Sequence, residues 1–457
     1  MSEDGFDIIV LGGGSGGYAA ALRARELGRT VALVERDQVG GTCLHRGCVP
    51  TKALLHSGEV ADVVRNAAHH GVSASFEAID IAAVHDYRRK IVSKKHAGLT
   101  GLLAARGVVT ITGDGYLEAD RRVRVGERVL SASDIVLATG GRTRELADVP
   151  LGGRVLSSDT ALELDEVPSS VVILGGGVIG VEFASIWRSF GAEVTIIEPL
   201  ARLLPSEDEA SSAALLRAFR KRGIAASFGL SCTGVDAGED QVTVTLSDGS
   251  TRTADYALVA AGRIPATADL GFEDAGVELS AGFVVTDAEL RTSAPHVWAV
   301  GDIVRGPQLA HRGFAHGIAV AERIAGLAVA PLADEVVPRV AYSSPEVASV
   351  GLTTAAAIER FGEDAVETAE IPLAANAKSE ILGTSGFARV VRRREGPVLG
   401  VHLVGDRVGE LITEGQLLVG WDAHPEDVAP LIHAHPTQSE ALGEALLLLS
   451  GKPLHAI

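Results

Sequence analysis

Apolar residues along this chain fall into two spacings. Short, nearly unbroken runs at Phe6 to Leu11, Thr30 to Val34, Val108 to Thr112, Ile135 to Ala138, Val171 to Leu174, Val194 to Ile197, Tyr256 to Ala260 and His296 to Asp302 predict strands. Between them the apolar positions recur at helical spacing. They predict helices from the turn after Leu11 to Gly28, over Val49 to Asn66, Asp80 to Arg106, from Val178 to Gly191, over Glu207 to Arg222 and over Leu309 to Leu327. The helix from Val49 carries Ala53, Leu54, Val60, Ala61, Val63 and Val64 as its apolar stripe. Val123 to Ser131 reads as a small hairpin, and alternating Val242, Val244 and Leu246 mark a strand from Asp240 to Leu246. From Val337 the pattern changes. Strand-like runs at Arg339 to Tyr342, Ala388 to Val391 and Val398 to Val404 alternate with helices at Thr353 to Phe361 and Gly409 to Gly420.

Two strand-to-helix junctions carry the same glycine signature. Gly12-Gly13-Gly14-Ser15-Gly16-Gly17 follows the first strand, and the next strand of that unit ends at Glu35. Gly175-Gly176-Gly177-Val178-Ile179-Gly180 follows Leu174, and its partner strand ends at Glu198. Leu11 matches Leu174, Gly12 matches Gly175 and Glu35 matches Glu198 at one constant offset. Strand–GxGxxG–helix–strand with a terminal carboxylate is a dinucleotide-binding fingerprint in its required context. Gly12 allows the tight turn, Gly14 lets a pyrophosphate approach the backbone, and Gly17 lets helix pack on strand. The pyrophosphate then sits on the helix N-terminus, and Glu35 accepts hydrogen bonds from the adenosine ribose. Gly175, Gly177 and Gly180 take the same places in the second unit. Two such units bind two nucleotides, or one flavin and one nicotinamide. Glu198 favours NAD, since a carboxylate bonds a free 2′-hydroxyl and repels a 2′-phosphate. Pro199, Leu200 and Ala201 follow it before a single Arg202.

Cys43 and Cys48, in Gly40-Gly41-Thr42-Cys43-Leu44-His45-Arg46-Gly47-Cys48-Val49-Pro50-Thr51-Lys52, are two of only three cysteines. A regular helix separates such Cα atoms by roughly 8.7 Å, whereas a disulfide needs less than about 7 Å. If the two bond, the backbone between them leaves helical geometry, which Gly47 allows cheaply. A cysteine at a helix start has its thiolate favoured by the positive end of the dipole. A stapling disulfide and two buried thiols are the plain alternatives. The first glycine unit flanks these cysteines and is the natural FAD site, which leaves the second for NAD.

The Gly40–Lys52 segment resembles the redox-active segment of the flavin-dependent pyridine nucleotide–disulfide oxidoreductases, and the likeness covers essentially the whole chain. Within that family it is similar to the members that oxidise dihydrolipoamide. His45 and Arg46 stand where the commoner pattern has Asn and Val. The resemblance implies a redox pair with Cys43 as the outer, exchanging sulfur and Cys48 against the flavin. It implies that Thr42, Lys52, Gly115, Thr139, Gly140, Asp302, Ala310 and His311 serve FAD, with Asp302 on a ribityl hydroxyl and the helix start at Ala310-His311 facing the ring edge. Glu182 and Gly262 fall to the NAD side, with Glu182 paired to Lys52. As a plain alternative, Asp302 caps the following turn. His435 and Glu440, in His433-Ala434-His435-Pro436-Thr437-Gln438-Ser439-Glu440, match the family's acid–base pair, with His435 reaching Cys43 of the other subunit of a homodimer. A capping box from Thr437 to Glu440 is the structural alternative. The fold class implied is α/β: two Rossmann-like dinucleotide-binding domains plus a C-terminal α+β interface domain. The expected boundaries are 1–150 for FAD, 151–268 for NAD, 269–336 for a central domain completing the FAD site and 337–457 for the interface domain.

Composition narrows this little. At 457 residues, 46% hydrophobic and 22% charged, the chain reads as an ordinary globular protein of about three domains. Its longest apolar runs fall short of a membrane span. The acidic N-terminus enters a strand at once, so no signal peptide is expected. No lipoyl domain is expected ahead of residue 1, no metal is expected, and Cys232 reads as a small buried residue. These features point to the cytoplasm. A net charge of −18 argues against nucleic acid and suits a basic protein partner. The partners implied by the resemblance are the lipoyl domain and the acyltransferase core of a 2-oxo acid dehydrogenase complex. Two other readings are a reductase of another small disulfide, of mycothione or glutathione type, and a non-catalytic flavin-binding subunit. The second has no use for Cys43, Cys48, His435 and Glu440 together.

Overall fold

Apolar runs without a polar face need cover on both sides, and parallel sheets provide it. In the computed structural model, which describes residues 4–455, Asp4–Leu11 lies between Val31–Glu35 and Arg128–Leu137. Val109–Thr112 extends one side and Val297–Ala299 joins the other, all parallel. Gly115–Glu118 and Arg122–Val125 add an antiparallel flank. Ile9, Leu33, Ile135 and Leu137 at the centre are fully buried. A second parallel sheet runs Ile224–Phe228, Glu193–Glu198, Ser170–Leu174, Tyr256–Val259 and Val155–Leu156. An antiparallel ribbon of Arg263–Pro265 and Gly141–Thr143 ties the two units together. The third sheet is antiparallel: Arg339–Ala341, Glu346–Gly351, Val398–Gly405, Phe387–Arg393 and Val366–Pro372. Helices Thr354–Phe361, Ile412–Gly420 and Glu440–Leu449 accompany it. Among the described residues no helix is long and apolar enough to cross a membrane. The N-terminal reading rests in part on Met1–Glu3, which lie outside the described residues, as do Ala456 and Ile457.

Two expectations change. The hairpin read at Val123–Ser131 does not end there: Arg128–Leu137 is one strand that serves the hairpin with its first residues and the parallel sheet with its last. Cys48–Asn66 is helical, but Val60 and Val63 are exposed. The buried face holds Ala53, Leu54, Gly58 and Ala61, with Gly58 pressed against Ser189 and Phe190 of the second unit's helix. The stripe is set by that neighbouring helix, which the local sequence does not encode.

Buried charges join the second unit to the third sheet. Glu207 accepts from Arg339 Nε at 3.0 Å and Ser349 Oγ at 2.5 Å. Asp208 caps its own helix through the Ala210 N–H at 3.1 Å, and accepts from the Thr354 N–H at 2.8 Å and Arg389 at 3.2 Å. Burial alone would raise the Asp208 pKa, but the Thr354 N–H and nearby His402 hold it below the usual carboxylate range. A carboxyl with a depressed folded pKa stabilises above its unfolded pKa and loses that contribution as pH falls. Asp208→Ala strands these donors and should cost roughly 3 kcal/mol in urea unfolding at neutral pH. The difference from the unsubstituted chain should shrink as pH falls through the acid range; a difference independent of pH would contradict this account.

Candidate active site

The Gly40–Lys52 segment bends where its cysteine spacing requires. Helix Gly41–His45 stops, and helix Cys48–Asn66 begins after Gly47. A Cβ on Gly47 would stand 3.0 Å from the Thr42 carbonyl oxygen, so a side chain there would crowd the fold-back that glycine leaves free. His45 and Arg46, which depart from the commoner pattern, fasten this bend. His45 Nε2 lies 3.0 Å from the Val39 carbonyl, its ring is edge-on to His96, and Arg46 pairs with Asp37 at 2.7 Å.

Cys43 and Cys48 are both free thiols. Cys43 donates to Cys48, and that bond, with burial, pushes the Cys43 pKa well up. The same bond pulls Cys48 down to about 7, with Lys52 adding to the effect and burial opposing it. Of the two sulfurs, Cys48 is therefore the one that holds negative charge near neutral pH.

Lys52 stands one helical turn after Cys48. Its Nζ lies 2.8 Å from both carboxylate oxygens of Glu182, which is 4% exposed on helix Val178–Phe190. Glu182 also accepts the Tyr342 N–H at 3.0 Å, and Lys52 sits 4.5 Å over the Tyr342 ring. Burial pulls the Lys52 pKa down, Glu182 more than offsets this, and the net shift is upward. The cysteine helix, the second glycine unit and the third sheet thus meet on one ammonium group.

The two glycine turns are built alike. Gly12 and Gly175 have positive φ, and a Cβ on either would overlap the carbonyl oxygen of Ala138 or Ala260. A Cβ on Gly17 or Gly180 would overlap the carbonyl oxygen of Gly12 or Gly175. Each terminal carboxylate ties down its own loop. Glu35 accepts from Gly13 and Asp37 at 2.7 and 2.9 Å; Glu198 accepts from Gly176 and Leu200 at 2.6 and 2.8 Å. The space beside Gly14 and Gly177 is open, and the helices they start have no side-chain cap. Their first N–H groups are left for an anion, which fits a pyrophosphate at each.

Between the two turns runs a cleft of about 1310 Å³. It is lined by Gly14, Thr42, Cys43, Cys48, Lys52, Gly140, Asp302, Ala310 and His311 on one side. Gly175, Gly177, Glu182, Glu198 and Gly262 line the other. Asp302 does not cap a turn: it lies inside Gly301–Ile303, whose cap position is Val300. Burial raises its pKa against Arg263 and Arg312, and among the described residues nothing hydrogen-bonds its carboxylate. A carboxylate facing the cleft without a donor fits a hydroxyl-bearing ligand such as the ribityl chain of FAD. His311 Nε2 is bonded to the Pro338 carbonyl at 2.7 Å.

Other expected residues stand outside the cleft lining. Thr139 donates to the Ala266 carbonyl at 2.7 Å, and Glu35 is committed to its loop. Gly115 is buried in its strand, where a Cβ would meet Leu11 and Val34, so packing accounts for it. Cys232, expected in the core, is partly exposed and lines the cleft on the second unit's side. Sequence reasoning missed Tyr342 and Arg263. Arg263 crosses from the second unit to the Gly141 carbonyl at 2.5 Å and Thr42 Oγ1 at 3.3 Å. Its place in the Ala261-Gly262-Arg263 turn was the available signal; Tyr342 had none.

His435 Nδ1 lies 2.9 Å from Glu440 Oε1, beyond a cis His435–Pro436 bond. The capping box forms only by half. Glu440 accepts the Thr437 N–H at 2.8 Å, but Thr437 Oγ1 turns to the Ala434 carbonyl, and the helix starts at Glu440 after Ser439. That N–H, with His435, keeps the Glu440 pKa low, so a carboxylate holds the imidazole. His433 pairs instead with Glu414 at 2.8 Å. The His435 side chain is 73% exposed and does not line the cleft of its own chain.

A family model described as pyridine nucleotide-disulphide oxidoreductase matches residues 6–317, and one for the dimerisation domain of the same oxidoreductases matches residues 337–446. Dihydrolipoyl dehydrogenase of Bacillus subtilis is 37% identical over 98% of this chain and 99% of its own length. Dihydrolipoyl dehydrogenase 3 of Pseudomonas aeruginosa is 39% identical over 99% of each. Among solved structures, LpdA of Mycobacterium tuberculosis superposes with a TM-score of 0.90 at 28% identity, covering 98% of this chain and 99% of that one. The HOCl-induced flavoprotein disulfide reductase RclA of Escherichia coli gives 0.87 at 26% identity, covering 97% and 99%.

The charge of Lys52 can be tested through Cys48. Lys52→Met removes the one cation that lowers its pKa, so the midpoint of pH-dependent alkylation should rise from about 7 by about a unit or more. Glu182→Gln removes an opposing charge and should not raise it. Equal behaviour of the two variants would show that the pair does not tune the sulfur.

Proposed function

The chain belongs to the pyridine nucleotide-disulphide oxidoreductases, and from that membership we propose that it is a dihydrolipoyl dehydrogenase working as a homodimer. FAD and NAD are its cofactors. The observation that carries the reading is the junction at Lys52, which sets the cysteine pair against both glycine turns in one cleft. The full-length likeness to dihydrolipoyl dehydrogenases supports the substrate. The partners proposed are the lipoyl domain and acyltransferase core of a 2-oxo acid dehydrogenase complex, and the place of action is the cytoplasm.

In its oxidised form the Cys43–Cys48 pair is a disulfide. A thiolate of dihydrolipoamide attacks Cys43 Sγ, the S–S bond breaks, and Cys48 leaves as the thiolate that the Lys52 charge favours. The second substrate thiol then attacks the mixed disulfide and releases Cys43, so two electrons pass from substrate to the pair. Each substrate thiol must give up a proton first, because only the thiolate attacks. His435 of the partner subunit takes that proton, and Glu440 holds the ring and supports its cationic form. Gly14 and Gly177 would hold the two pyrophosphates, and Asp302 the ribityl chain. When bound, FAD and NAD carry the electron pair onward from the reduced cysteines.

Positioned acid–base catalysis is worth about 10²–10⁴-fold. His435→Ala should therefore cut dihydrolipoamide turnover by about that factor while leaving NADH-driven reduction of artificial acceptors largely intact. Mixing inactive Cys43→Ser and inactive His435→Ala protomers should restore about a quarter of wild-type activity at random exchange. Half the dimers are then mixed, each with one complete site of two. No recovery despite demonstrated subunit exchange would mean that each chain completes its own site.

A further inference from the structure

The chain carries −18 overall, yet one surface beside the cysteine cleft is basic. Of its seven lysines, three (Lys90, Lys94 and Lys95) fall within six residues on helix Ile81–Ala105. Tyr87 and Ile91 of the same helix line the cleft that holds Cys43 and Cys48. Helical spacing puts Lys90 one turn beyond Tyr87, and Lys94 and Lys95 one turn beyond Ile91. All three lysines are exposed, and among the described residues none is held by a carboxylate. Their basic neighbours are already occupied: Arg88 is buried against Glu163, and Arg89 pairs with Asp86 at 2.5 Å. Lys90 and Lys94 are like charges at i and i+4, an arrangement that costs helix stability by itself. On a strongly acidic protein this ridge is the local exception, and it adjoins the opening to the reactive sulfurs.

We propose that this ridge docks an acidic carrier domain that presents its dithiol on a flexible arm to Cys43. The proposal rests on the reading of the chain as a dihydrolipoyl dehydrogenase and adds the charge of the carrier and the face that receives it. An acidic domain is repelled by most of this surface and attracted by this lysine-bearing helix, which flanks the cleft. The field therefore orients the encounter toward the sulfurs. A second copy of this chain is the competing occupant. The exposure of three uncompensated lysines favours an acidic carrier, since lysine is rare in the buried centre of interfaces.

The test uses the holoenzyme with two electron donors, free dihydrolipoamide and a dihydrolipoyl domain of net negative charge. Two triple variants are compared with wild type: Lys90→Gln/Lys94→Gln/Lys95→Gln and Lys90→Glu/Lys94→Glu/Lys95→Glu. The kcat/KM for the domain should fall about 10-fold in the first and about 100-fold in the second, and the wild-type value should drop as salt rises. Turnover of free dihydrolipoamide and the mass of the dimer should not change. Unchanged kcat/KM for the domain in wild-type-like free turnover would overturn the docking surface alone. So would a dimer that dissociates, since the ridge would then belong to the second copy. A wild-type enzyme that oxidises neither donor would overturn the functional reading, and the proposal with it.

Discussion

The ion pair between Lys52 and Glu182 is the constraint on which the rest of this structure depends. Glu182 is buried, and a buried carboxylate without its cation is costly, by several kcal/mol. The pair therefore fixes the distance between two helices from different nucleotide units. It also fixes Tyr342, whose N–H completes the Glu182 carboxylate from the third sheet. The cysteine helix cannot slide along the cleft without stranding one of these charges. The position of the sulfurs is set by electrostatics at their backs, and the same ammonium group adds to the polarity that the hydrogen bond between them creates.

Around that pair the chain uses one loop design twice. In each glycine turn the carboxylate at the end of the second strand accepts from the loop's own N–H groups. Each carboxylate was expected to face a ribose; the structure shows that it first stiffens the turn beneath it. The remaining lone pairs are directed by a loop that is already rigid. The difference between the two units lies elsewhere, in what flanks them: a bent cysteine segment beside the first, and Glu182 on the helix of the second.

Much of this was legible in the sequence, because the residues concerned act locally. GxGxxG after an apolar strand dictates a tight turn and an uncapped helix wherever it occurs. The i, i+5 cysteine spacing calls for a break if the two sulfurs are to bond, and the chain does break at Gly47. What the sequence hid depends on packing between distant segments. Val60 and Val63 fit a helical stripe by spacing, but the neighbouring helix chose the face through Gly58. Gly115 was read toward a cofactor, and its bareness is accounted for by Leu11 and Val34 behind it. Tyr342 is an aromatic residue at the end of an edge strand, with no local mark of its role. Cys232 looked like core because small thiols usually are, yet its strand lies along the cleft wall.

The cysteine pair has one more consequence, for the proton balance of the enzyme. Cys43 keeps its hydrogen through the neutral range, while Cys48 loses its own at about 7. Opening the disulfide therefore takes up two protons in mildly acid surroundings and only one in mildly alkaline ones. For a two-electron couple, each proton shifts the midpoint potential by about 30 mV per pH unit. The potential should therefore fall less steeply with pH once Cys48 has lost its proton than before. An enzyme built this way makes the driving force for its own electron transfer a function of the acidity around it, through a single thiol.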